Sequence, residues 1–253
     1  MEKIHILQNL VVDISVPKIL LLIKKNIYSK KKMIISNVNI QAINLTFSYH
    51  WFRDFLNQSD IVFCDGYGII LGARILGKKI RNRNTPPDWI PQLAELCAQN
   101  NFSLGLIGSK AGIAEMVAEI LRNENPLLNV PFTHHGYFNK TLGHTENETI
   151  IQSINTAKPD ILLVGFGMPL QEKWIKENFD RLDVKVFMPV GAAFDYVSGT
   201  VRRAPRWMTD HGFEWLGRLI IEPRRLWKRY IIGIPLFFWR VLLQRLGLLK
   251  IQD

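Results

Sequence analysis

One carboxylate, Asp65, stands where a strand would deliver it to a ligand. The apolar run 61–63 and Cys64 precede it, and Gly66 and Gly68 follow within three residues. Loops at the carboxyl ends of strands are where open α/β sheets bind ligands. A carboxylate backed by an apolar strand can have a raised pKa and act as a general base. Alternatively, Asp65 caps the helix expected over 69–76, and the local pattern alone favours that cap.

Two strand–turn–helix segments have the composition of an anion site. Apolar runs over 102–107 and 161–164 each lead into small residues and then a helical pattern. Such turns offer backbone N–H groups and the positive end of a helix to a phosphate, although each alone is also an ordinary tight turn. Two of them in one sheet favour a nucleotide site. Its candidate residues are Gly108 and Ser109 after the first strand, and Gly165, Gly167 and Gln171 after the second.

Further polar residues follow other predicted elements. Asn37 and Asn39 end a short strand beginning at residue 33, where they are turn formers or ligand contacts. The basic loop 78–88 carries Arg83 and is either a solvated loop or a wall that contacts phosphate. The paired histidines at 134–135 have no carboxylate or thiol partner at metal-ligand spacing, so a role other than metal binding is favoured.

The sequence gives no support for a metal or cofactor. No two aspartates have the Asp-x-Asp spacing by which many nucleotide-sugar enzymes hold a cation, so we predict metal independence and no cofactor. Cys64 and Cys97 lack metal-ligand or Cys-x-x-Cys spacing and are expected to be buried free thiols in a reducing compartment.

These residues need a sheet to bring them together. Strand patterns alternate with helical ones, which predicts an α/β fold with a doubly wound, largely parallel sheet and helices on both faces. We expect continuous elements over 4–12 (strand) and 40–56 (helix). Residues 1–200 would form this core, and 201–253 a basic, amphipathic appendage that completes the site and associates with a membrane.

The charge of the chain is concentrated near its C-terminus. Residues 202–250 contain eleven Lys/Arg and three Asp/Glu, which is +8 of the net +10. This indicates an anionic partner. The run 236–249 is apolar except for a few residues, with Arg240 and Gln244 on one stripe, as in a helix lying in a membrane interface. The alternative is packing on the protein's own core, but a membrane or partner surface is favoured.

Neither a signal peptide nor a run of about 18 apolar residues is recognised, so we expect a peripheral protein. No nucleic-acid motif accompanies the basic charge, and nucleic acid is therefore not expected as a partner.

The segment Gly165-Phe166-Gly167-Met168-Pro169-Leu170-Gln171-Glu172-Lys173-Trp174 resembles the GxGxPxQExW motif of the WecG/TagA/CpsF glycosyltransferases. The resemblance spans roughly residues 33–235. It continues through Gly191 to Asp195, Arg203 to Trp207, Gly212 to Leu216, Arg218-Leu219 and Glu222 to Leu226, and includes Asp65 to Gly68 and Gly108-Ser109.

This resemblance implies an inverting hexosyltransferase at the cytoplasmic membrane face. The family moves N-acetylmannosamine or another hexose from a UDP-sugar to a polyprenyl-diphosphate-linked saccharide in cell-surface polysaccharide synthesis. Asp65 falls on the family's catalytic base. The resemblance also places substrate contacts at Asn37, Asn39, Arg83, Gly108, Ser109, Gly165, Gly167, Gln171, Asp195, Arg203, Arg206, Arg218 and Arg225.

Two departures concern the pocket itself. Asn37 stands where the family has Thr. Pro86 and Pro87, which follow Thr85, replace a glycine-containing loop of the family. The first departure supports an alternative, a non-catalytic relative that binds nucleotide and membrane. The sequence does not determine the oligomeric state, and a homo-oligomer is possible.

Overall fold

The computed structural model describes residues 2–249, except the side chains of residues 206 and 210. The strands of this part are β1 (Lys3–Ile6), β2 (Asn9–Val12), β3 (Met33–Val38), β4 (Ile61–Cys64), β5 (Ser103–Gly108), β6 (Asn129–His134), β7 (Ile161–Gly165) and β8 (Val186–Pro189).

The α-helices of the described residues are α1 (Val16–Ser29), α2 (Ile40–Ser48), α3 (His50–Gln58), α4 (Tyr67–Ile75), α5 (Pro86–Asn100), α6 (Ile113–Glu124), α7 (Thr145–Ala157), α8 (Leu170–Asn178), α9 (Ala193–Val197), α10 (Arg206–Asp210), α11 (Glu214–Ile221), α12 (Pro223–Trp227) and α13 (Gly233–Arg245). A 3-10 turn covers Phe179–Arg181, and a π-helical turn at Lys228–Ile232 joins α12 to α13.

The chain divides into two compact units. The first contains the described residues of Met1–Ser15, Asn37–Thr85 and Arg202–Asp253, and the second consists of Val16–Ser36 and Pro86–Val201. Residues 202–249 are therefore part of a unit that also contains two earlier segments. The sequence predicted a different division, into a core over 1–200 and an appendage over 201–253.

The second unit is built on a parallel sheet with the strand order β3-β8-β7-β5-β6. Every residue of β7 and β8 is buried, as expected when both faces of a parallel sheet are covered. After β5 the chain moves to β6 on one side, and it then returns to β7 on the other side. This reversal is the mark of a doubly wound sheet and creates a switch point between the carboxyl ends of β5 and β7.

In the first unit, β2 pairs with β1 antiparallel and with β4 parallel. Together with the second unit this confirms the predicted α/β class with a mostly parallel sheet. The segment 4–12 is in strands as predicted, but in two, because Leu7 adopts a left-handed conformation (φ 53°) and folds the segment into a hairpin. The predicted helix over 40–56 is two helices, broken at Tyr49 in an extended conformation.

Helix α13 packs on α2 and α4 by one face, on which Phe237 and Val241 are fully buried. Gly72 of α4 makes this approach close, since a Cβ there would lie 2.7 Å from the Phe237 ring. The stripe predicted to be the outer polar face is turned inward. Arg240 donates a hydrogen bond to Asn44 Oδ1 (2.8 Å), and Gln244 Oε1 accepts one from the Leu7 amide (2.9 Å).

Candidate functional site

A cavity of about 160 Å³ lies within the first unit. Four parts of the first unit surround this cavity: the loop after β4, the first turn of α2, the start of α4, and the segment from α11 to α13. Apolar and aromatic side chains form one part of its wall, among them Trp215, Tyr230 and Phe238. The polar and charged side chains that line it include Asn39, Asp65, Arg83, Glu214, Arg218 and Arg229.

Asp65 is held at this cavity by its backbone and by one side chain. Its amide donates to the Val38 carbonyl (2.9 Å), and its Oδ2 accepts from Asn39 Nδ2 (3.3 Å). It does not cap α4, because Gly66 is the N-cap residue and no side chain caps this helix. Asp65 is therefore available to a ligand.

The pKa of Asp65 is raised to about 6. Burial is the largest cause, and the negative charge of Glu214 acts in the same direction. The Asn39 hydrogen bond and the charges of Arg218 and Arg229 oppose the rise. A carboxylate with such a pKa is mostly ionised at neutral pH and yet basic enough to accept a proton.

Glu214, the first residue of α11, is the second acid of the cavity. Its Oε2 lies 3.4 Å from Arg83 Nη1 and 3.9 Å from Arg203 Nη2. All three side chains are largely buried, with exposed fractions of 19% for Arg83 and Glu214 and 27% for Arg203. Glu214 thus orders two arginines that are distant from each other in the chain.

The second unit contains the two glycine turns, which lie at the switch point of its sheet. The Ser109 amide donates to the Gly165 carbonyl (3.0 Å). A Cβ at Gly108 would lie 2.6 Å from Gly165 Cα, so these turns approach to a distance that only glycine permits. Ser109 also donates to Asp195 Oδ1, which links the turn after β5 to α9.

Gln171 joins two further turns of this unit. It is fully buried, and its Oε1 accepts from the amides of Gly167 (3.1 Å) and Gly191 (3.0 Å). Its Nε2 donates to Glu172 Oε1 (2.8 Å). Burial raises the pKa of Glu172 to about 7, and its Oε2 has no hydrogen-bond partner in the described part of the chain. In this arrangement Gln171 positions the turns that carry the backbone N–H groups.

The model of the glycosyl transferase WecG/TagA/CpsF family matches residues 4–250. The chain belongs to this family of glycosyl transferases.

Curated relatives agree with the family match. The N-acetylglucosaminyldiphosphoundecaprenol N-acetyl-beta-D-mannosaminyltransferase of Staphylococcus aureus strain MRSA252 is 26% identical over 214 residues, which are 84% of this chain and 81% of the relative. Proteins of the same name from strains NCTC 8325 and COL are 25% identical over the same shares of the two chains.

The structure brings together most of the residues that the family resemblance predicted, within each unit. Asn39, Asp65, Arg83 and Arg218 line the cavity of the first unit. Gly108, Ser109, Gly165, Gly167, Gln171 and Asp195 are connected in the second unit.

Two predicted contacts, Asn37 and Arg225, lie elsewhere in this family member. Asn37 is buried (6% exposed) and does not line the cavity. Arg225 is exposed and forms an ion pair with Glu222. The side chain of Arg206 lies outside the described residues.

Sequence reasoning missed Glu214 and Arg229 as members of the cavity. Arg229 belongs to the basic segment 202–250, whose charge was assigned to an anionic partner. Glu214 was one of three acids in a strongly basic segment, and that isolation was the available signal.

Proposed function

We propose that this glycosyltransferase moves a hexose, N-acetylmannosamine or another, from a UDP-sugar to a saccharide linked to polyprenyl diphosphate. The names of the Staphylococcus aureus relatives support the class of acceptor and the type of sugar. The observation that carries the proposal is Asp65, an acid with a raised pKa that faces a cavity lined by arginines.

Asp65 is the general base of the proposed reaction. The acceptor hydroxyl oxygen attacks the anomeric carbon of the donor, and its proton passes to the Asp65 carboxylate. The bond from that carbon to the phosphate oxygen breaks, and UDP leaves with the bonding electrons. A single in-line displacement of this kind inverts the anomeric configuration.

Positive groups of the protein stabilise the diphosphates of the substrates. In the first unit these are Arg83, Arg218 and Arg229. In the second unit, backbone N–H groups of the turns after β5 and β7 other than those of Ser109 and Gly167, which donate within the protein, bind the nucleotide's phosphates. Positive groups of the protein stabilise the charge that develops on the leaving group, without a metal ion.

We further propose that the first unit rests on the cytoplasmic face of the membrane as a peripheral protein. Large apolar side chains of its C-terminal segment are exposed, namely Trp207, Ile220, Trp227, Ile231, Ile232, Trp239, Leu242, Leu246 and Leu248. Exposed Arg224, Arg225 and Lys228 accompany them. Apolar and basic side chains on one segment suit an anionic lipid surface.

In the described residues no helix is both long and apolar enough to cross a bilayer. The outward apolar face of α13 is the face left free by packing, because its polar stripe is engaged within the first unit.

A donor screen tests the proposed function. The full chain is incubated with a panel of UDP-sugars and a synthetic polyprenyl-diphosphate-linked N-acetylglucosamine, with and without EDTA. We expect UDP release that requires the acceptor, is unchanged by EDTA, and gives a product of inverted configuration. UDP binding without transfer from any donor would instead favour a non-catalytic relative, and loss of activity in EDTA would refute metal independence.

A further inference from the structure

In the cavity of the first unit, the Asp65 carboxylate lies among arginines but forms no ion pair with them in the described part of the chain. Arg83, Arg218 and Arg229 line the same cavity as Asp65. A carboxylate in such surroundings ordinarily pairs with a guanidinium, which lowers its pKa and makes it a poor base. Yet among the described residues Asp65 has one side-chain partner, the neutral amide of Asn39.

Glu214 pairs with Arg83, one of these three arginines, and with Arg203, which is not among the residues that line the cavity. Its carboxylate lies within ion-pair distance of two guanidinium groups, 3.4 Å from that of Arg83 and 3.9 Å from that of Arg203. Because these three side chains are mostly shielded from water, the attraction between them is screened less than at a surface. Arg83 and Arg203 are therefore paired with Glu214.

We propose that Glu214 is a positioning residue that holds the guanidinium groups of Arg83 and Arg203 away from the Asp65 carboxylate. Asp65 then remains free to accept a proton from the acceptor. This inference rests on the proposed function, in which Asp65 is the base.

The charged and titratable groups around Asp65 all bear on this role. Burial and Glu214 raise the pKa of Asp65, whereas Arg218 and Arg229 lower it. Replacing Glu214 by Gln removes a nearby negative charge and releases two cations, and both changes lower that pKa. The groups facing Asp65 are Glu214 and Arg218 from α11, Arg229 and Tyr230 from the π-helical turn, Arg83 from the loop before α5, Tyr67 from α4, and Cys64 from β4.

The test is a carbon-13 NMR titration of the Asp65 carboxyl in the full-length Glu214→Gln protein. We expect its midpoint to fall from about 6 by roughly one pH unit. The acidic limb of the pH profile of kcat/KM should also move to lower pH. Glu222→Gln is the matched control, because Glu222 pairs with Arg225 at the surface of the same segment. It should leave the midpoint unchanged.

A second variant acts in the opposite direction and guards against misfolding of the first. Arg203→Gln leaves the charge of Glu214 less neutralised, so the midpoint of Asp65 should rise. An unchanged midpoint in both folded variants would overturn the proposal, and so would a fall in Arg203→Gln.

The titration needs no turnover, which separates this inference from the proposed function. If the midpoint shifts as expected but the pH–rate profile does not follow, Glu214 tunes Asp65 and Asp65 is not the base. If neither shifts, the role of Glu214 is refuted while the proposed function stands.

Discussion

The Asn39 side chain serves Asp65 and helix α2 at once. Its Nδ2 donates to Asp65 Oδ2 across 3.3 Å, while its Oδ1 accepts from the Ala42 amide at 3.1 Å and caps α2. Capping fixes the orientation of the carboxamide, so that its N–H group faces the base. One residue therefore couples the start of a helix to the protonation of the proposed base.

This dual role can be separated by substitution. Asn39→Ser retains a good N-cap residue but loses the donor to Asp65, whereas Asn39→Asp retains the cap and adds a negative charge beside the base. Because the Asn39 hydrogen bond lowers the pKa of Asp65, we expect both variants to raise it, Asn39→Asp more strongly. The acidic limb of the pH–rate profile should move to higher pH. A limb that stays in place in both variants would contradict this role.

Asp65 should make folding less favourable as pH rises. Its folded pKa of about 6 exceeds its ordinary 3.8, so the native state holds the proton longer than the unfolded chain does. The protonated Asp65 side chain therefore contributes its full stabilisation of the fold below pH 3.8, and this contribution is lost as pH rises through 6. Asp65→Asn should stabilise the fold above pH 7 by at most about 3 kcal/mol and have little effect near pH 4. Urea unfolding at the two pH values measures this, and a less stable variant above pH 7 would contradict it.

The sequence was most informative where the signal is local. Asp65 directly follows the buried strand β4, and Gly108 and Gly165 end the buried strands β5 and β7, which lie side by side in the second unit. The order of motifs in the chain was sufficient for the family. Local signals also predicted the alternation of strands and helices.

The orientation of α13 could not be predicted, because it depends on residues far away in the chain. Arg240 and Gln244 form a polar stripe that is typical of a solvent-facing side. Their partners are Asn44, 196 positions earlier, and the Leu7 backbone, 237 positions earlier. Pairing within the first unit turned the stripe inward and left the apolar face outside. The contact between Glu214 and Arg83 was hidden for the same reason, since 131 positions separate them.

Two neighbouring aromatic residues of α13 should have opposite effects. Phe237 is fully buried, so Phe237→Ala should cost about 3–5 kcal/mol of unfolding free energy. Trp239 is 60% exposed, so Trp239→Ala should change stability little and weaken binding to anionic vesicles. Urea unfolding and vesicle flotation measure the two effects. Undiminished flotation of a folded Trp239→Ala protein would argue against this face as the membrane contact.

Gln171 should matter through the turns that it joins. Gln171→Met keeps the shape of the side chain but leaves the Gly167 and Gly191 amides without their acceptor. We expect a loss of about 2–4 kcal/mol in stability and weaker UDP binding. Gln152→Met is the control, since Gln152 is exposed on α7 of the same unit. UDP affinity equal to that of the wild type, measured by calorimetry, would remove Gln171 from the nucleotide site.

The most direct test of the proposed mechanism is single-turnover transfer by Asp65→Asn, with saturating UDP-sugar and lipid-linked acceptor. Asp54→Asn, an exposed aspartate of α3, is the control and should behave as the wild type. We expect Asp65→Asn to fold and to bind UDP normally while the rate of transfer falls by about 10²–10⁴-fold. A transfer rate equal to that of the wild type would show that Asp65 does not take the acceptor's proton.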